Sequence, residues 1–246
     1  MFTGPERSQI RDELIAHARA DDRIAGAALV GSAARGEEDA WSDIDLVLQL
    51  APDADEPAVV EAWTRWIADR FALADTLDVM AGARYRVFLL ASSLQIDVSF
   101  WPYAEFRGTG ESFQLVFGTP NPPSVPSAPD LDALIGMGWL YALHARSAIA
   151  RGRLWQAVMM LDDLRNQIIA LACIHHRLNP WHGRDVDRLP ATEREALRQS
   201  RPTEVSAPAL RSSKQMLIEQ FLAEVARHDP ARACALAQPL HTLAAP

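Results

Sequence analysis

Two aspartates, Asp43 and Asp45, stand two residues apart in Asp43–Leu50, a run (DIDLVLQL) that alternates as a half-buried strand does. At a period of two their carboxylates project to one face, while Ile44, Leu46 and Leu48 project to the other. Like charges side by side repel and raise one another's pKa, a penalty that a divalent cation removes, so the pair reads as a metal site. A third carboxylate joins them if two strands are neighbours: in Gln95-Ile96-Asp97-Val98-Ser99-Phe100 the apolar residues again alternate away from the acid. Three hard oxygen ligands, with no histidine or cysteine among them, favour Mg²⁺ or Mn²⁺ over zinc. Upstream, the apolar run Ile24–Val30 breaks at Gly31-Ser32. A backbone free of bulky side chains there brings its N–H groups close to a phosphate. Ser32 adds a hydroxyl donor, and Arg35 a planar fork that matches phosphate oxygens.

In this order, Gly31-Ser32, Arg35-Gly36, Ser42-Asp43-Ile44-Asp45 and the later Asp97 resemble the signature of the DNA polymerase β-like nucleotidyltransferase superfamily. The size of the chain, with a helical second half, is similar to bacterial antibiotic nucleotidyltransferases acting on aminoglycosides or lincosamides. The resemblance implies transfer of an NMP, AMP from ATP, to a hydroxyl of a small acceptor with release of pyrophosphate. It implies two Mg²⁺ ions held by Asp43 and Asp45, with Asp97 completing one site and helping to deprotonate the acceptor. Gly31, Ser32, Arg35 and Ser42 would hold the nucleotide. Ala33 and Ala34 depart from the larger or basic residues of many relatives, and the first half has no lysine to assist the leaving pyrophosphate. Arg146, Arg151 or Arg165 would have to serve. Asp162 and Asp163 are the nearest second-domain acids that would act as base in place of Asp97. Two other readings stand beside this one: a protein-AMPylating, antitoxin-type enzyme, and a nucleotide-binding module without turnover.

The elements that must position these residues read as α+β. A nucleotidyltransferase-type mixed sheet with helices spans residues 1–119, a proline-rich linker spans 120–130, and an all-α helical bundle spans 131–246. In the first part the pattern gives a helix over 6–20 and strands at 24–30 and 43–50. A helix opening at Pro57 behind an Asp55 cap carries Val59, Trp63, Trp66, Ile67 and Phe71. Strand material follows at Leu77–Met80, then a hairpin of Arg84–Leu90 and Leu94–Trp101 turning at Ala91-Ser92-Ser93, then an edge strand at Phe113–Phe117. In the second part Asp130 caps a helix that stops at Gly152, and an apolar stripe runs from Leu154 to Ile174. Thr192 with Glu195 forms a capping-box pattern, and Asp229-Pro230 starts the last helix.

The 246 residues are 49% hydrophobic and 23% charged, ordinary globular composition. There are 20 acidic against 10 basic residues up to Thr119, and 12 against 14 after it, which make up the net −8. So acidic a first half speaks against long nucleic acid as a partner and suits divalent cations or a cationic substrate. With neither a membrane-length apolar run nor a signal-peptide pattern, the chain is expected to be soluble and cytoplasmic. Its two cysteines, Cys173 and Cys234, are expected as buried thiols. His175, His176 and His182 near Cys173 repeat no zinc-ligand spacing and are read as helix-end and loop residues. Trp139 and Trp155 are expected in the core, while Trp181 is left open.

Overall fold

The computed structural model describes residues 2–109, 112–124 and 128–244, and the chain divides into two compact units, Met1–Ser127 and Ala128–Pro246. Residues 125–127 of the proline-rich stretch lie outside the described residues.

In the first unit, α1 (Gly4–Ala20) opens on a capping box in which Thr3 and Glu6 satisfy each other's backbone N–H groups, with Pro5 in the first turn. Then follow β1 (Ile24–Val30), α2 (Gly31–Arg35), β2 (Ile44–Leu50), α3 (Glu56–Arg70), β3 (Leu73–Met80), β4 (Arg84–Leu90), β5 (Gln95–Trp101) and β6 (Phe113–Phe117). The strands form one mixed sheet in the order β3-β4-β5-β2-β1-β6. Within it β2 and β5 run parallel, and the other neighbours are antiparallel. The β4–β5 hairpin turns where the sequence expects it, with Ser93 in the left-handed region. The strand β3 starts four residues earlier than expected and forms its own hairpin with β4.

The two faces of the sheet differ. Ile44, Leu46 and Leu48 of β2, with Ile96, Val98 and Phe100 of β5, are buried with Leu14 of α1 and Val59, Trp63 and Ile67 of α3. The opposite face carries Asp45 and Asp97, and farther along it Val47 packs with Ala28 and Phe106 in a small separate cluster. Asp55 takes the N-cap position of α3 but makes no capping bond.

In the second unit, α4 (Leu131–Ala150) is capped by Asp130, which accepts from the Ala133 N–H at 2.9 Å, and the chain reverses at Gly152 with φ 68°. It continues through α5 (Leu154–His175), α6 (Ala191–Gln199), α7 (Ala207–His228) and α8 (Pro230–Ala244). Leu161, Leu164, Ile168 and Leu171 of the expected stripe are buried together with Leu217, Phe221 and Val225 of α7.

Three expectations are corrected here. The Thr192–Glu195 capping box does not form: Pro190 takes the N-cap place, so Thr192 falls inside the first turn. Glu195 turns instead to Arg198 and Gln199, whose hydrogen bonds bring its carboxyl down to about 2. Trp155 is 73% exposed, because it stands off the apolar stripe of α5. Cys234 is exposed on α8, whereas Cys173 is buried; both are free thiols. Among the described residues no helix is long and apolar enough to cross a membrane.

Candidate metal and nucleotide site

The parallel ladder of β2 and β5 places Asp45 directly opposite Asp97. Asp43 lies just before Ile44, the first residue of β2, and joins them from the preceding loop. One carboxylate oxygen from each of the three lies within 4.8 Å of the others, and all three side chains are half-buried. Three carboxylates so close repel. Burial pushes the Asp97 carboxyl up and the charge of Asp43 adds to this, against the hydrogen bond from Gln95. The Gln95 amide donates to both Asp97 oxygens, at 3.0 and 3.1 Å. Sequence reasoning missed Gln95, although a residue two before Asp97 on the same strand shares its face.

Gly31 is fixed here by two separate demands. Its φ of 63° favours glycine, and a β-carbon would lie 2.1 Å from Asp45 Oδ2. The backbone of β1's end therefore passes directly beside the acid cluster. The segment after it is a five-residue helix, α2, rather than an open turn, closed by Gly36 in the left-handed region. Ser32 sits in its first turn.

The other expected nucleotide ligands are engaged locally. Arg35 Nε donates to Glu37 at 2.6 Å in an exposed ion pair. The Ser42 hydroxyl donates to Asp39 Oδ1 at 3.0 Å and accepts from the Asp39 N–H at 2.9 Å, so it ties the turn that leads into Asp43. Of the second-unit candidates, Arg165 is engaged within the helical unit: its guanidinium is buried, paired with Asp162 and bonded to the Ser200 carbonyl at 3.1 Å. Asp162 is thereby engaged as well. Asp163 is half-buried, and Arg146 and Arg151 are exposed. His176 bonds Glu193 at 3.1 Å, as a helix-end residue.

Residues 8–120 match the family model for the nucleotidyltransferase domain. A search of curated proteins finds no match to the chain. Among solved structures, an aminoglycoside 6-adenyltransferase from Bacillus subtilis overlaps 97% of this chain and 98% of its own at 12% identity, with a TM-score of 0.43. A GLD-2/RNP-8 complex overlaps 90% of this chain and 77% of its own at 13% identity, with a TM-score of 0.31. The first unit thus carries a nucleotidyltransferase domain.

Proposed function

We propose that this nucleotidyltransferase domain serves a Mg²⁺-dependent enzyme that moves AMP from ATP to a hydroxyl of a small acceptor, of the aminoglycoside or lincosamide kind. The observation that carries the reading is the convergence of Asp43, Asp45 and Asp97 within 4.8 Å. The donor set fits the ion: three carboxylate oxygens, hard and half-buried, beside a glycine whose missing side chain leaves Asp45 its place. When bound, such ions lower the pKa of the attacking hydroxyl and neutralise charge on the phosphates and the leaving group.

In the reaction the acceptor oxygen forms a bond to the α-phosphorus, the bond to the bridging oxygen breaks, and pyrophosphate leaves. The hydroxyl proton goes to Asp97. Asp97 stands opposite Asp45 in the acid cluster, and the two hydrogen bonds from Gln95 fix its plane. Gly31 and Ser32 offer backbone and hydroxyl donors to the triphosphate. Arg35 serves the same end at small expense: an exposed pair such as Arg35–Glu37 is worth ~0–1 kcal/mol, whereas a charge-assisted bond to phosphate is worth about 1.5–3 kcal/mol. Ser42 acts through the turn it ties rather than by touching nucleotide. The acidity of residues 1–119 favours a cationic acceptor over a polyanion.

The test is pyrophosphate release from ATP and Mg²⁺ over a panel of aminoglycosides, lincosamides and a protein mixture, with labelled ATP to identify the product. Mg²⁺-dependent labelling of a small acceptor is the expected result. Label on protein alone, or ATP binding with no turnover on any acceptor, overturns the reading.

A further inference from the structure

We propose that Arg7 of α1 is the positioning residue for Asp43, holding in place the member of the acid cluster that the sheet does not hold; the inference rests on the metal reading above. Asp45 and Asp97 are ladder residues of β2 and β5, so their relative places follow from strand register. Asp43 precedes the strand, and its place follows from the 36–43 loop. That loop is tied internally, by the Asp39 carboxylate accepting from the Trp41 N–H at 2.8 Å and from the Ser42 hydroxyl. Such bonds fix the shape of a turn, not its location. Location comes from α1. Arg7, only 4% exposed, donates through Nη1 to the Asp39 carbonyl and, at 3.3 Å, to the Ser42 carbonyl, the residue bonded to Asp43.

A buried guanidinium with no other reason to be inside a helix face is costly unless its hydrogen bonds and charge are met. The charge is met by Glu38, whose Oε1 lies 3.3 Å from Arg7 Nε without hydrogen-bond alignment and whose Oε2 accepts from Arg11 at 2.5 Å. Arg7 and Arg11 thus share one carboxylate, but Arg7 also grips the carbonyls. This separates holding the loop near α1, which both arginines do, from setting the Asp43 end of it, which Arg7 does.

The test is Mn²⁺ titration of the full chain without nucleotide, followed by electron paramagnetic resonance, with the melting temperature measured alongside. Arg7→Met is expected to weaken Mn²⁺ binding tenfold or more, and Arg11→Met, which breaks the ion pair but touches no carbonyl, less than twofold. In an Asp43→Asn background Arg7→Met should bring no further loss, because its effect runs through Asp43. If Arg7→Met does not fold, Arg7→Lys, which keeps the charge beside Glu38, carries the same comparison, with a three- to tenfold loss expected. Mn²⁺ affinity within twofold of wild type, even with a lowered melting temperature, overturns the proposal, as does an equal loss in the Asp43→Asn background. A wild-type chain that takes up no Mn²⁺ overturns the metal reading, and the role of Arg7 with it.

Discussion

The room around Asp45 is set by an absent side chain. At Gly31 an alanine would have to hold φ near 63°, at about 1–2 kcal/mol, and its β-carbon would displace the Asp45 carboxylate from 2.1 Å. Gly31→Ala should therefore lower Mn²⁺ affinity at least tenfold while leaving the chain folded. Unchanged affinity would show that Asp45 is not a ligand. The Asp97 carboxyl separates chemistry from binding in a different way. Asp97→Asn keeps the size and removes the charge, leaving Asp43 and Asp45 for the nucleotide-bound ion. Loss of a general base is worth ~10²–10⁴ in rate, so kcat should fall by that much with KM for ATP changed by less than about threefold. The melting temperature should hold or rise, because the repulsion from Asp43 that helps to raise this carboxyl is gone. Near-normal kcat with a lowered melting temperature would make Asp97 a structural residue only.

Strand register turns single acids into a cluster, and a slip of one residue in β2 or β5 would carry Asp45 or Asp97 to the face packed with α1 and α3. What resists the slip is that packed face, centred on the fully buried Trp63, whose indole N–H donates to Asp21 at 3.1 Å. Burial pushes the Asp21 carboxyl up, but hydrogen bonds from Arg23 and Trp63 outweigh it and leave the carboxyl below its ordinary value. A folded-state pKa below the unfolded ~3.9 adds stability above that pH, which is lost as pH falls through the folded value. Asp21→Asn should therefore lower the melting temperature at pH 7, and the gap to wild type should narrow at pH 3; a gap that widens on acidification would refute this. The acids and the strands beneath them were legible because one alternation marks both strand and face. The strand β3 was not, since both its faces are largely wet and Leu73–Thr76 carries no alternation to read. Thr192–Glu195 had the right spacing, but Pro190 starts the helix earlier. Arg7 is buried by carbonyls 32 and 35 residues along the chain, a partnership that no local pattern encodes.

Each unit has its own core: the clusters around the sheet contain residues of the first unit, and the helical cluster residues of the second. All three acids, and the Gly31, Gln95 and Arg7 that place them, belong to the first unit. Metal binding should then be insensitive to damage confined to the second core, and Gly138 offers a clean place to inflict it. A β-carbon there would lie 2.2 Å from the ring of the fully buried Phe221. Helix propensity favours alanine over glycine by about 1 kcal/mol, but overpacking a filled core costs ~1–3 kcal/mol, so the steric cost prevails. Gly138→Ala should lower the melting temperature of the helical unit in calorimetry while Mn²⁺ affinity stays within twofold of wild type. A fall in Mn²⁺ affinity together with the melting temperature would mean that the acid cluster draws support from the helical unit, and that the first unit alone does not complete the site.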